Sequence, residues 1–498
     1  MHILDLNEDT LSMIISYLSS RDARQLSLVS RGLHLLAKHQ ALTSVSLYSV
    51  EKALKFSIYM LKDMRHRLPM LRELQLKFVI LSEEELLHAE YSGRYLSDSA
   101  ITADAVARLA DLLEQASWLK SLALDGAEVW LTYAPRISEA LCRMLHLSVI
   151  DMDMLYTAVP KFLRGLQSAP RTMILHQTAP STLPLNPYLD QCTDLCSPSV
   201  DCLVVENIAT FPSPDDLACM FPNARRLHLC TPPTSAITRL SLVPGWPLLE
   251  HVRGSAVLFA QWKLSNPVHL FEVTCAVVTP SKRIPTTSKH RAQVRKAAIL
   301  ALQNVQPVAL QAEVDYKLDG MYWSDFLTAS HRLRYLSLRL HHVTRLATLE
   351  RRMLRWWKIV KPLLARRTGV ICLKIFCHLH GDRKTADDAP NDPSVAIPQN
   401  IVDELQASAV SIPSLLYLSL VIRTSQERQP RISDRGEFQA WHDTHITGDL
   451  RCWWQIVHEE GRERVVKTLD VEKGERIAAY MRSTAYDYTK DFDERDVP

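Results

Sequence analysis

The order of apolar and polar positions divides the chain into two regimes. In the first, Leu11, Ile14, Ile15 and Leu18 recur at three- and four-residue spacing, which places them on one stripe of a helix. Asn7 ahead of Glu8 and Asp9 supplies a cap and acids that favour a helix N-terminus. Ser19-Ser20-Arg21-Asp22 interrupts the stripe with good capping residues. Leu26, Val29 and Leu33 then recur, with Leu36 and Ala37 behind them, so the pattern predicts two further short helices. A unit of about 40 residues rarely buries enough surface to fold alone, so its stripes need another surface.

From Ala41 onward the pattern shifts to short strand-like pieces separated by helical stretches. Leu-x-x-Leu-x-Leu stands at 71–76, 119–124, 333–338 and 415–420, and Ala224-Arg225-Arg226-Leu227-His228-Leu229 repeats it with Ala first. Weaker copies are Leu203-Val204-Val205, Val308-Ala309-Leu310 and Leu373-Lys374-Ile375. The spacings are compatible with whole numbers of units of about 24 to 27 residues. Helices are predicted at Ala103 to Gln115, Asp215 to Phe221 and Thr344 to Leu364. Loop insertions are expected near 178–200, 384–400 and 424–436, where Pro and polar residues gather, and the Tyr- and acid-rich tail 480–498 is expected to fray into solvent.

These residues carry two resemblances. Leu6-Asn7-Glu8-Asp9, Leu11, Ile14-Ile15-Ser16-Tyr17-Leu18, Arg21-Asp22 and Leu26-Ser27-Leu28-Val29-Ser30-Arg31 resemble the F-box motif over about 35 residues. The sequence departs from that motif at Asn7, where Pro is usual, Ala23, where Leu is common, and Leu33, where Trp is common. The leucine pattern resembles the front half of a leucine-rich repeat, in which each unit gives one strand and buries its leucines against its neighbours. The Asn or Cys that usually follows is replaced by Val79, Ala127, His341 and Arg423, so the solenoid is expected to be irregular. The expected fold is α/β: a short three-helix N-terminal F-box (1–40), an irregular leucine-rich-repeat-like solenoid (41–479), and the acidic tail. A doubly wound sheet is the architectural alternative. The arrangement resembles the F-box proteins abundant in fungi.

The resemblance implies a substrate-recognition subunit of a cullin-RING ubiquitin ligase. The F-box would grip the Skp adaptor, which joins it to the cullin scaffold, and the repeats would hold a protein substrate. Adaptor contacts are expected at Leu6, Leu11, Ile14, Ile15, Leu18, Leu26, Val29 and Leu33. In a Leu-x-Leu strand the leucines enter the core and the residues between and beside them point to the opposite, concave face. Substrate contacts are therefore expected at Glu73, Gln75, Lys77, Arg226, His228, Tyr335, Ser337, Arg339, Lys374, Tyr417 and Ser419. An interaction scaffold outside any ligase, with the helical segment as a cap, is the first alternative, and a nucleic-acid-binding protein that uses local basic clusters is the second.

Composition narrows the chemistry. Lys and Arg number 58 against 55 Asp and Glu, a net +3 that lacks the broad basic field of a general nucleic-acid binder. Two local clusters are basic, at 282–296 (Lys282, Arg283, Lys289, Arg291, Arg295, Lys296) and around Trp356-Trp357 (Arg351, Arg352, Arg355, Lys358, Lys361, Arg366, Arg367). The second is read as an amphipathic helix with Leu354, Trp357 and Lys361 on one side and solvated arginines on another. Only 13 residues are Gly, and no phosphate loop, nucleophile elbow or His-Glu-x-x-His is present, so neither enzyme activity nor a cofactor is expected. Cys372, Cys377, His378 and His380, then His442, His445 and Cys452, and finally Cys192, Cys196 and Cys202 are soft ligand types without the spacing of a zinc site. No apolar run reaches the roughly 20 residues of a membrane span. The acidic, leader-free N-terminus predicts reduced thiols and a cytoplasmic or nuclear location.

Overall fold

A computed structural model of the chain describes residues 6–78, 100–153, 158–176, 196–206, 214–230, 241–242, 246, 249–264, 266–277, 288–341, 346–366, 369–378, 397–423, 450–458 and 463–498. It divides into two compact units, Met1–Ser235 and Ala236–Pro498, where the repeat pattern predicts one solenoid. Among the described residues no helix is long and apolar enough to cross a membrane.

The first unit opens with α1 (Glu8–Ser16), α2 (Ser20–Val29) and α3 (His34–Thr43), the last running past the boundary expected at residue 40. Both predicted caps form. Asn7 accepts the Thr10 amide at 2.8 Å, and the Ser19 hydroxyl accepts the Asp22 amide at 3.1 Å. Then come seven strands, β1 (Ser44–Leu47), β2 (Glu73–Leu76), β3 (Ser121–Leu124), β4 (Val149–Asp153), β5 (Thr172–His176), β6 (Cys202–Glu206) and β7 (Arg226–Cys230). Each pairs in parallel with the next in chain order. Register aligns the leucines into ladders: Leu74, Leu122, Ile150, Met173, Leu203 and Leu227 stand side by side, all fully buried. A parallel strand can reach its neighbour only through a crossover, and the helices Ala100–Gln115 and Pro214–Met220 lie in two of these connections, close to the predicted ranges.

The second unit repeats the scheme. A short parallel pair, β8 (Ser241–Leu242) with β10 (Trp262–Lys263), stands apart from the main sheet. β9 (His251–Gly254), β11 (Leu270–Val277), β12 (Ala309–Asp315), β13 (Tyr335–His341), β14 (Cys372–His378) and β15 (Tyr417–Arg423) are parallel neighbours. Their ladder of Val252, Phe271, Leu310, Leu336, Leu373 and Leu418 is fully buried. The repeat does not run to the end: β16 (Leu450–Val457) and β17 (Val465–Leu469) add antiparallel, so the sheet closes with a reversal that the leucine pattern does not predict.

The helix Leu346–Arg366 corrects the expected division of its faces. Leu349, Met353, Trp356, Trp357, Val360 and Leu364 are buried, whereas Leu354 and Lys361 are half-buried. Both indoles turn inward because positions 353, 356, 357, 360 and 364 form the wider apolar stripe, and Trp356 meets Trp323 at 5.8 Å between ring centroids. Arg351, Arg355, Lys358 and Arg366 stay exposed. Lys282, Arg283, Arg367 and most of the three predicted loops lie outside the described residues.

Candidate docking surfaces

In the three N-terminal helices the apolar positions divide into an inside and an outside. Leu11, Ile15 and Leu33 are buried against one another, with Leu6, Leu18, Leu26 and Leu36 packed around them. Gln40 donates to the Ser16 and Leu18 carbonyls at 3.2 and 3.1 Å, which ties α3 to the end of α1. Leu11, Ile15 and Leu33, expected as adaptor contacts, are thus the interior of the unit. A three-helix unit this small spends its best-spaced leucines on its own core.

What remains outside is still apolar. Met13, Ile14 and Tyr17 of α1 and its cap, Leu28 and Val29 at the end of α2, and Leu35 at the start of α3 are exposed, Tyr17 at 84% and Val29 at 79%. Of the expected contacts only Ile14 and Val29 belong to this set, and Leu6, Leu18 and Leu26 are half-buried. Met13, Tyr17, Leu28 and Leu35 lay off the stripe and were not expected. Among the described residues fourteen large apolar side chains are exposed, and six fall within these three helices and the cap of α1. Exposed apolar side chains are thus concentrated on these helices, a feature of surfaces on which other molecules dock. The three departures from the motif do not reach it: Ala23 and Leu33 are buried and Asn7 caps α1.

On the strand face of the first unit, Glu73 and Arg226 are exposed, and Gln75 and Lys77 half-buried. Gln75 accepts the Ser46 hydroxyl at 2.9 Å, and Arg226 pairs with Asp201 at 2.7 Å. His228 is buried instead, in register with the fully buried Val204 of β6. Asp151 and His176 form a buried pair at 3.1 Å.

The second unit departs further from the expected open face. Alternation places Tyr335, Ser337, Lys374, Tyr417 and Ser419 on the face away from the leucine ladder, yet all five are buried, and Arg339 is half-buried. The cover is the chain itself. After β17, Asp470 caps the helix Val471–Arg482 by accepting the Lys473 amide at 3.1 Å. Ile477, Ala478 and Met481 of that helix bury against Leu270, Ala309, Tyr335, Cys372, Tyr417 and Trp453. The segment expected to fray follows it down the same face: Tyr486 is buried, and Tyr488, Phe492 and Val497 pack at the edge. Its tyrosines and Phe492 supply apolar area that the count of acids conceals.

Electrostatics fix the covering helix. The buried Lys374 ammonium meets both Glu475 carboxylate oxygens at 2.8 and 2.6 Å, while the Trp453 indole donates to the same carboxylate at 3.3 Å and Arg451 approaches at 3.4 Å. A buried lysine is stable only with such a partner. Further along, Glu494 accepts from the Tyr417 hydroxyl, the Gln455 amide and Lys473, the last at 2.7 Å. Burial opposes its charge, but the bonds from Lys473 and Tyr417 prevail and hold the carboxyl below the usual range. Phe492 packs edge-on to Tyr417 at 5.4 Å between centroids, and the Arg332 guanidinium lies 4.3 Å from the Tyr488 ring centroid.

Among the described residues no group of three or more His, Cys, Asp or Glu is placed to hold a metal ion. Cys372 and Cys377 are buried thiols pushed up to about 12 by burial. Cys202 is buried too, Cys452 is half-buried and Cys196 exposed. His380, His442, His445 and Cys192 lie outside the described residues.

A family model of the F-box domain matches residues 3–44, the three helices whose two sides are described above. Among solved structures the chain is similar to one in the crystal structure of the Rad7 and Elc1 complex in yeast, at 12% identity and a TM-score of 0.31, over 74% of this chain and 88% of that chain. No curated protein matches the sequence. With its first three helices forming an F-box over residues 3–44, ahead of parallel strand–helix units, this chain is an F-box domain-containing protein.

Proposed function

We propose that the chain is a substrate receptor of a cullin-RING ubiquitin ligase: the F-box holds the Skp adaptor, which carries the cullin scaffold, and the strand–helix units hold a protein substrate. In this reading the chain has no catalytic centre of its own and works in the cytoplasm or nucleus. One observation carries it: the F-box keeps Leu11, Ile15 and Leu33 for its own interior and still leaves Met13, Ile14, Tyr17, Leu28, Val29 and Leu35 to solvent. Apolar side chains exposed on helices of a matched adaptor-binding domain are the contacts such a domain needs. Substrate contacts are assigned to the strand faces, among them Glu73 and Arg226 in the first unit and Arg339 in the second.

Affinity purification of the tagged full chain tests the reading. Adaptor and cullin are expected with the wild-type chain, and both are lost from Ile14→Asp and Val29→Asp, which place a charge on an exposed apolar contact without touching the F-box interior. A wild-type chain that brings down neither subunit, or variants that bring down both at the wild-type level, would overturn the assignment.

A further inference from the structure

We propose that Ser483–Pro498 is a displaceable strap on the strand face of the second unit, and that the surface beneath it binds an acidic, aromatic peptide of a partner protein. This deepens the substrate-receptor reading and rests on it only for the natural source of that peptide.

The covering segment has two parts of unequal grip. The helix Val471–Arg482 buries Ile477, Ala478 and Met481 completely and seats Glu475 on Lys374, Trp453 and Arg451, so it belongs to the core. The strap buries Tyr486 alone. Thr484, Ala485, Asp487, Thr489, Lys490, Asp491, Arg495, Asp496 and Pro498 face solvent, and the rest is half-buried. It is held by a few side chains: Tyr486 beside His269, Phe492 on Tyr417, and Glu494 on Tyr417, Gln455 and Lys473. Segments with little burial open at the low end of the stability range, independently of the core they lie on.

The contacts define the ligand. The receiving surface offers an aromatic face at Tyr417, a hydroxyl, an amide and an ammonium gathered on one carboxylate, and the cation of Arg332 over an aromatic ring. A peptide with two aromatic residues followed closely by a carboxylate matches it, as Tyr488, Phe492 and Glu494 do. Because the strap is tethered directly to a docked helix, its effective concentration is on the order of millimolar. An external peptide therefore competes poorly until the strap is weakened.

The test uses the full chain and, as probe, a labelled synthetic peptide of residues 483–498. Phe492→Ala combined with Glu494→Ala weakens the strap and leaves the receiving surface intact, so this variant is expected to bind the probe about tenfold more tightly than wild type. Adding Lys473→Ala and Tyr417→Phe on the receiving side should return binding to the wild-type level. Hydrogen exchange on the double variant is expected to show protection lost over 483–498 and kept over 471–482. Equal probe binding by wild type and double variant, equal binding of a scrambled peptide, or loss of protection over both segments together would overturn the strap. Adaptor capture, read in the same preparations, bears on the ligase reading alone: its absence would sink that reading and leave the peptide measurement standing.

Discussion

Gly474 lies against the indole of Trp453: a Cβ built on it would fall 2.4 Å from both Cγ and Cδ2 of the ring. The glycine sits inside the helix Val471–Arg482, where it is ordinarily a poor choice, less favourable than Ala by about 0.5–1 kcal/mol. The close approach explains it. Without a side chain at 474 the helix can lie flat on β16, bringing Glu475 within reach of Lys374 and of the Trp453 indole N–H.

Gly474→Ala should therefore reverse the usual sign of a helix-interior substitution. A gain of about 0.5–1 kcal/mol from propensity is outweighed by overpacking, which costs about 1–3 kcal/mol in a well-packed site. Urea unfolding of the full chain checks this, and Trp453→Leu in the same molecule should recover part of the loss, because neighbouring sites couple. A stabilised Gly474→Ala chain would mean that the helix does not sit on Trp453.

Within the F-box, neighbouring residues should behave differently. Ile15 is buried and Ile14 is 38% exposed. Ile15→Ala removes interior volume and should cost about 2–5 kcal/mol, lowering the melting temperature and adaptor capture together. Ile14→Ala should leave melting nearly unchanged while reducing capture. Parallel melting curves and pull-downs decide between this division and a shared role, in which the two variants would lose both properties in proportion.

The elements were more legible than their cover. Leucine spacing located β2, β3, β7, β13 and β15 and, more faintly, β6, β12 and β14, because the inward face of a repeat strand is a local pattern of period two. β1, β4, β5, β9 and β11 lack that leucine form: Ile150, Met152, Met173, Leu175, Val252 and Phe271 fill the same ladders with other apolar residues. The F-box stripe was legible, but its use was not. Helical spacing shows that Leu11 and Ile15 share a side with Ile14, and only packing shows which of them faces Leu33. Nor could Tyr335, Lys374 and Tyr417 be recognised as covered, since Arg482, Glu475, Phe492 and Glu494 meet them across a long sequence separation. The Tyr residues beside the acids of 480–498 were the available signal.

Thiol reactivity offers a direct check on the sheet interior. Burial pushes Cys372 and Cys377 up to about 12 from an ordinary value of 9.0, which cuts the thiolate fraction about a thousandfold at neutral pH. Cys196 and Cys219 are exposed. Brief alkylation of the native chain at pH 8 should label these two and spare Cys372 and Cys377 until urea is added, as read by peptide mass spectrometry. Prompt labelling of Cys377 in the native chain would show that β14 is open to solvent.

Acid should loosen the strap in two steps of the same sign. His269 donates its Nε2–H to the Met481 carbonyl at 3.0 Å at the end of the covering helix. Burial lowers its pKa, the Met481 bond opposes that, and Arg332 lowers it further, leaving a folded value below 6.5. Between the folded and unfolded values the unfolded chain binds more protons, so the contribution of His269 is complete above about pH 6.5 and is lost progressively below it. Glu494, facing Lys473, Tyr417, Gln455 and Asp493, has its folded value held below 4.5; its contribution is complete above that pH and lost as the pH falls through the folded value. Protection factors over 480–498 should therefore fall first below about pH 6.5 and again below about pH 4.5. His269→Gln should remove the upper step and keep the lower, and Glu494→Gln the reverse. A profile flat between pH 7 and 5, or protection that rises on acidification, would show that His269 does not hold the end of this helix.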